Sequence, residues 1–209
     1  MKIENTKKYI EKRIEKMKTI KKGVDVIHLS YYKGLLNEKD IDEYHKVLDK
    51  INLKLSTYDK NGDLTASLDD FSLSVFYILS ELTIQEILNG TITNATWDVI
   101  KFIVINSWNK VKNKTLTKYT STSKENKKVS FGVKISIDKN THFDFHLDGN
   151  IDEATINKAL DKILDFLHKQ QKNKIYKNAN YVEYNIKKNE WKSTEFSDMI
   201  KKIKQKKKK

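Results

Sequence analysis

Polar and apolar side chains alternate in the segment His142–Asp148, and its polar members could bind a metal. His142, Asp144 and His146 are spaced two residues apart. Successive side chains of a β-strand point to opposite faces, so these three would share one face. Imidazole nitrogens and carboxylate oxygens are ligands of zinc and other divalent metals, and an open metal site activates water for hydrolysis. The three residues are therefore candidate metal ligands, and a metal-dependent hydrolase or nuclease is one functional hypothesis.

The same alternation has a simpler interpretation. In a half-buried antiparallel strand, Phe143, Phe145 and Leu147 would face a core and the polar residues would face water. The sequence has no P-loop, no glycine-rich dinucleotide turn and no zinc-protease helix motif. We therefore favour a protein that is not an enzyme and needs no cofactor, with zinc or another divalent metal as the alternative.

The C-terminal segment 201–209 carries the densest positive charge. Seven of its nine residues are lysines, so residues 1–200 hold 13 − 7 = +6 of the formal charge of +13. Runs of lysine attract phosphate polymers by charge alone. The alternative is a solubilising helix end, with lysines beside the negative helix terminus. The candidate nucleic-acid-binding residues are Lys201, Lys202, Lys204, Lys206, Lys207, Lys208 and Lys209.

Lysine accounts for nearly all of the basicity, because Arg13 is the only arginine. Lysine is a hydrated point charge and lacks the planar fork with which arginine grips guanine or phosphate. Contact with nucleic acid would therefore be non-specific, salt-sensitive contact with the backbone. The absence of proline, together with the abundance of lysine, asparagine and isoleucine, also indicates an AT-rich genome, which is an alternative origin of the charge.

The composition bounds the environment of the protein. The chain has no cysteine, which excludes disulfides and thiolate metal sites and favours a reducing compartment. Its first residues are charged and lack the apolar core of a signal peptide. No window reaches the roughly 18 apolar residues of a membrane-spanning helix. We expect a cytoplasmic protein without a transmembrane segment.

Amphipathic helices and alternating strands would position these candidates. The spacing of apolar residues predicts helices and strands in the first half of the chain. Boundaries between these elements are indicated by Asn37, Asn61-Gly62 and Asn89-Gly90. The predicted elements of this half are a helix over 3–22, a strand over 24–29, a helix over 38–50, a β-hairpin over about 51–68, and two apolar helices over 71–89 and 94–111.

The second half begins with a polar stretch, 112–128, which we interpret as a linker or loop. Strands over 129–137 and 143–147, a helix over 152–170, a hairpin near 182–191 and a final helix follow. The predicted fold class is α+β, with small antiparallel hairpins packed against amphipathic helices and an apolar helical pair in the middle. The predicted parts are 1–111, the linker 112–128, 129–200 and the basic tail 201–209.

Three functional hypotheses follow. The first is a non-enzymatic interaction protein of an AT-rich microbe or mobile element, which binds a protein partner or a polyanion such as nucleic-acid backbone. The second is the metal-dependent hydrolase or nuclease built on His142, Asp144 and His146. The third, weaker one is a membrane-acting effector that uses the apolar helices within 71–111. Partner identity and oligomeric state stay open at this level.

Overall fold

A computed structural model of the chain describes residues 23–61, 73–90, 94–119, 124–138, 141–147, 151–173 and 180–195, together with residues 11, 15 and 198. These residues form nine strands and four helices, and they confirm the α+β class. The strands are β1 (Val26–Tyr31), β2 (Lys54–Asp59), β3 (Val75–Leu79), β4 (Thr115–Tyr119), β5 (Lys124–Lys128), β6 (Phe131–Ser136), β7 (His142–Leu147), β8 (Asn180–Asn185) and β9 (Glu190–Glu195). The helices are α1 (Glu38–Asp49), α2 (Glu81–Leu88), α3 (Asn94–Val111) and α4 (Glu153–Asn173).

Seven strands form one mixed sheet in the order β2-β1-β3-β6-β7-β8-β9. The pairs β1–β2, β3–β6 and β7–β8 are parallel, and the pairs β1–β3, β6–β7 and β8–β9 are antiparallel. A parallel pair needs a crossover connection, and helices supply it in all three cases. Helix α1 joins β1 to β2, α2 and α3 lie between β3 and β6, and α4 joins β7 to β8.

The helices cover one face of the sheet. Helix α3 contacts both α1 and α4, so the three lie side by side. Tyr77 of β3 reaches α3 through a 2.7 Å hydrogen bond between its hydroxyl and that of Ser107. At the other end of the sheet, the indole N–H of Trp191 donates to the carbonyl oxygen of Ala159 in α4 (2.8 Å). The hydrophobic core lies between these helices and the sheet.

Helix α1 shows how a local sequence signal sets an element. Asn37 is its N-cap: the side-chain oxygen accepts from the backbone N–H of Asp40 (2.9 Å), and the carboxylate of Asp40 accepts from the backbone N–H of Asn37 (3.1 Å). This reciprocal capping box satisfies two N–H groups that a helix start leaves without partners. The predicted helix over 38–50 is confirmed.

The apolar pair of helices predicted over 71–111 is only partly present. Residues 75–79 form strand β3, which lies between β1 and β6, and α2 starts only at Glu81. The spacing of Val75, Ile78 and Leu79 suits a helix, but a buried strand of five apolar residues gives the same pattern. Helix α3 is confirmed, and Trp97, Val104 and Trp108 are all buried. Within the described residues, no helix is long and apolar enough to cross a membrane.

The first strand of the hairpin predicted over about 51–68 is present as β2, and the hairpin itself stays a prediction. Strand β2 runs parallel to β1, and the predicted return strand lies outside the described residues. The stretch 112–128, interpreted as a linker or loop, contains the antiparallel pair β4–β5 instead. Strands before and after this stretch share one sheet, so within the described residues the predicted parts are joined by strand pairing. The predicted helix over 3–22 lies outside the described residues, apart from Glu11 and Glu15, which are helical.

Candidate functional site

The predicted metal ligands lie on the face of the sheet that points away from α1, α3 and α4, here called the far face. Phe143, Phe145 and Leu147 alternate with them and are buried on the helix side, which confirms the predicted alternation. The expectation that all three polar residues face water is wrong. His142 is exposed, Asp144 is half-buried and His146 is buried, with 6% of its surface exposed.

Asp144 is bound to a lysine of the neighbouring strand. Lys134 of β6 lies directly opposite Asp144, and its Nζ is 2.7 Å from Asp144 Oδ2. The other oxygen, Oδ1, is buried and has no hydrogen-bond partner within the described part of the chain. The carboxylate is therefore oriented by one strong, charge-assisted contact and leaves one oxygen for a further donor or ligand.

His146 is held as a neutral side chain. Burial lowers the pKa of its imidazole to about 4; Asp144 opposes this shift by raising the pKa, and Lys134 adds to it. The imidazole packs against the ring of Tyr181 with 4.1 Å between the ring centroids, and Glu183 is its partner across the strand pair. Its Nε2 is buried without a hydrogen-bond partner within the described residues. At neutral pH this nitrogen carries no net charge.

Gly132 has no side chain, which leaves space on the far face for the side chain of Leu73. It lies opposite His146, and a Cβ atom there would come within 2.2 Å of the carbonyl oxygen of Phe145 and 2.9 Å of a methyl of Leu73. Leu73 therefore packs over the far face where a side chain at Gly132 would otherwise lie. With Leu73 only 2% exposed, this part of the far face is closed to large ligands.

The structure does not bring a complete metal-binding group together in the part of the chain that it describes. No three His, Cys, Asp or Glu side chains there are placed to hold one ion. His142 is exposed, and Asp144 is bound to Lys134. Zinc or another divalent metal on His142, Asp144 and His146 stays a prediction, as does the absence of a cofactor.

The predicted nucleic-acid-binding lysines, Lys201 to Lys209, lie outside the described residues. A second basic region, which the sequence reasoning missed, lies within them. Residues 112–128 hold six lysines and one acid, Glu125, for a net charge of 6 − 1 = +5. Residues 1–22 carry 9 − 3 = +6, so the remainder of residues 1–200 carries 6 − 5 − 6 = −5. A count of charge in a sliding window could have found this region.

This basic region folds as the antiparallel pair β4–β5, here called the ribbon. Thr115 pairs with Lys128, Thr117 with Asn126 and Tyr119 with Lys124. Because side chains alternate along a strand, these pairs share one face of the ribbon, here called its outer face. The exposed side chains of the outer face are Thr115, Thr117, Lys124, Asn126 and Lys128.

The opposite face of the ribbon joins the body of the protein. Leu116 is partly buried and packs against the hydrophobic core. At the base, Lys114 Nζ donates to the carbonyl oxygens of Leu35 (2.7 Å) and Gly34 (3.3 Å), in the loop before α1. Lys112 Nζ lies 4.3 Å from the ring centroid of Trp108, at the end of α3. These contacts fix the base of the ribbon to the body and leave the outer face exposed.

No family model, curated protein or solved structure matches this chain. The functional conclusion therefore rests on the geometry and charge of the chain itself.

Proposed function

We propose that the protein binds the phosphate backbone of nucleic acid through the ribbon. The observation that carries this proposal is the charge of the ribbon against its surroundings: residues 112–128 carry 6 − 1 = +5, whereas residues 23–111 carry 8 − 13 = −5 and residues 129–200 carry 11 − 11 = 0. Residues 1–22 carry 9 − 3 = +6 and the tail 201–209 carries +7, so the ribbon is one of three basic segments and the one whose strands the structure describes. An AT-rich genome raises the lysine content, but it does not account for the near absence of balancing acids in the ribbon. A polyanion is the partner whose charge complements this element.

The chemistry of the ribbon favours phosphate over a protein partner. Its charged side chains are lysines with a single glutamate, and the exposed residues of its outer face are two threonines, one asparagine and two lysines. Protein interfaces obtain most of their binding energy from buried aromatic and arginine anchors. Exposed lysines instead release counterions from a nucleic acid, and this effect supplies most non-specific binding.

The proposed role is binding and not catalysis. Asp144 and His146 lie in the seven-stranded sheet and not in the ribbon, and His146 is buried. A lysine surface without arginine predicts contact that tolerates any sequence and weakens steeply with salt.

Fluorescence anisotropy with a labelled random-sequence 24-base-pair DNA across a salt series tests the proposal. The test variant is Lys124→Gln/Lys128→Gln, on the outer face of the ribbon. The matched control is Lys187→Gln/Lys188→Gln, which removes two exposed lysines from the β8–β9 turn. Both variants lose the same charge, so only the location differs.

We expect the ribbon variant to lower the slope of log K against log salt by about 1.8, since each phosphate contact contributes about 0.9. The same relation predicts binding weaker by at least ~10-fold at 0.1 M salt. The control should stay close to wild type. Equal effects of the two variants would show that only net charge matters, and wild-type binding by the ribbon variant would refute the proposal.

The tail is tested separately, by Lys→Gln substitution at Lys206, Lys207, Lys208 and Lys209. Weaker binding and a flatter salt dependence would make the tail a second contact. Unchanged binding would contradict the prediction for the tail and leave the ribbon as the site. If wild-type protein binds no nucleic acid at low salt, the ribbon proposal fails and a protein partner becomes the surviving hypothesis.

A further inference from the structure

We infer that the nucleic acid is double-stranded DNA and that the ribbon lies in its major groove. This inference rests on the proposed function and adds the form of the nucleic acid and the mode of contact. It starts from the order of side chains on the outer face. Lysines stand at both ends of β5, and uncharged polar residues lie between them and opposite them.

The dimensions of the ribbon match the groove. Lys124 and Lys128 are four residues apart on one strand, which places their Cα atoms about 13 Å apart. The major groove of B-form DNA is about 12 Å wide and admits a two-stranded β-ribbon. A ribbon that lies along the groove with its outer face towards the floor spaces these two lysines about 13 Å apart along the groove, where each side chain can reach a phosphate of the wall.

The centre of the outer face carries groups that pair with base edges. Thr117 Oγ1 donates to Asn126 Oδ1 (3.0 Å), which fixes the amide and leaves the Nδ2 hydrogens to donate elsewhere. Adenine and guanine both present an N7 acceptor in the major groove. One amide donor therefore recognises a purine without telling adenine from guanine, which agrees with binding to many sequences.

An RNA duplex and a single strand would make fewer contacts with the ribbon than a DNA duplex would. The major groove of an A-form RNA duplex is deep and too narrow for side chains to reach its base edges. A single strand presents phosphates but has no groove that could hold the two strands of the ribbon together. The ribbon lysines would attract both forms by charge, and the contact of Asn126 would be lost in both.

The experiment compares a 24-base-pair DNA, the same duplex with 7-deazapurines in place of purines, the matching RNA duplex and the single strands. Deaza substitution removes the N7 acceptors and keeps the phosphate charge and the minor groove. Asn126→Ala is the test variant, and Asn157→Ala, at an exposed position of α4, is the control. Circular dichroism verifies that both variants fold.

We expect wild-type protein to bind the DNA duplex several-fold more tightly than the RNA duplex, and to lose about fivefold on the deaza duplex, which corresponds to one lost hydrogen bond. Asn126→Ala should show the same loss on normal DNA and no further loss on deaza DNA. Asn157→Ala should behave as wild type.

The failure of this inference is distinguishable from that of the proposed function. Equal binding to DNA, deaza DNA and RNA, still weakened by Lys124→Gln/Lys128→Gln, would overturn the groove contact and leave backbone binding in place. A further deaza loss in Asn126→Ala would overturn the assignment of the donor to Asn126. Binding that is unchanged in Lys124→Gln/Lys128→Gln would overturn both the groove contact and the proposed function.

Discussion

Acidification should destabilise the protein through His146. Its imidazole has a pKa of about 4 in the fold, against 6.5 as its ordinary value, because burial disfavours the charged form. A group whose folded pKa is lowered binds its proton mainly in the unfolded state, so stability is full above pH 6.5 and is lost as the pH falls towards 4. One pKa unit corresponds to about 1.4 kcal/mol, so the full effect is about 3 kcal/mol.

Most of this loss occurs in an accessible range of pH. Linkage with pKa values of about 4 and 6.5 gives a loss of about 2 kcal/mol between pH 7 and pH 5. The titratable groups that face His146 are Asp144 on the same strand, Lys134 on β6, and Tyr181 and Glu183 on β8. Since other titrating groups, His28 among them, remain in every variant, the quantity to compare is the change in stability with pH.

Urea unfolding followed by circular dichroism at pH 7 and pH 5 measures that change for wild type and for His146→Gln. We expect the variant to lose about 2 kcal/mol less than wild type over this interval. His142→Gln is the control, because His142 lies on the same face of β7 but is exposed. If His146→Gln lost as much unfolding free energy between pH 7 and pH 5 as wild type and His142→Gln do, the assignment of this loss to His146 would be refuted.

Two further substitutions test the packing described above. Gly132→Ala should lower the free energy of unfolding by about 2–3 kcal/mol in urea titrations, because its Cβ would clash with the carbonyl oxygen of Phe145; a neutral result would contradict the close approach. Asp40→Ala should lower the thermal midpoint and cost about 1–2 kcal/mol, because it removes a capping-box partner and the 2.6 Å contact with Lys110 Nζ. The exposed Asp42→Ala should change stability by less than about 0.5 kcal/mol.

Local signals predicted the elements whose own residues define them. Asn37 and the helical spacing after it located α1, and the alternation around Phe143 located β7. The pairing of strands was not predictable in this way, because the sequence of a strand does not identify the strand with which it pairs. The alternation in 51–57 predicted strand β2 but not its parallel pairing with β1, across α1. The apolar run of β3 predicts a helix as readily as a strand, because a short apolar run fits either structure.

In the candidate site, too, local features were predictable from the sequence and tertiary contacts were not. The shared face of His142, Asp144 and His146 follows from the two-residue period of a strand and was predictable. The burial of His146 involves Tyr181 of the neighbouring strand β8, a tertiary contact that local sequence does not show, and was not predictable. The ribbon was not predictable because its strands have almost no apolar alternation; among its described side chains, Leu116 packs against the core.

The ribbon leaves and re-enters the body of the protein at one point, because the backbone N–H of Val129 donates to the carbonyl oxygen of Lys114 (3.0 Å). Among the described residues, its two strands pair with each other and with no strand of the seven-stranded sheet. Residues 115–128 are therefore an insertion within the connection from α3 to β6, which a short turn could replace without altering any other strand pair. A relative of this protein could lengthen, shorten or lose the ribbon over evolutionary time, and so change its ligand, while the sheet kept its topology.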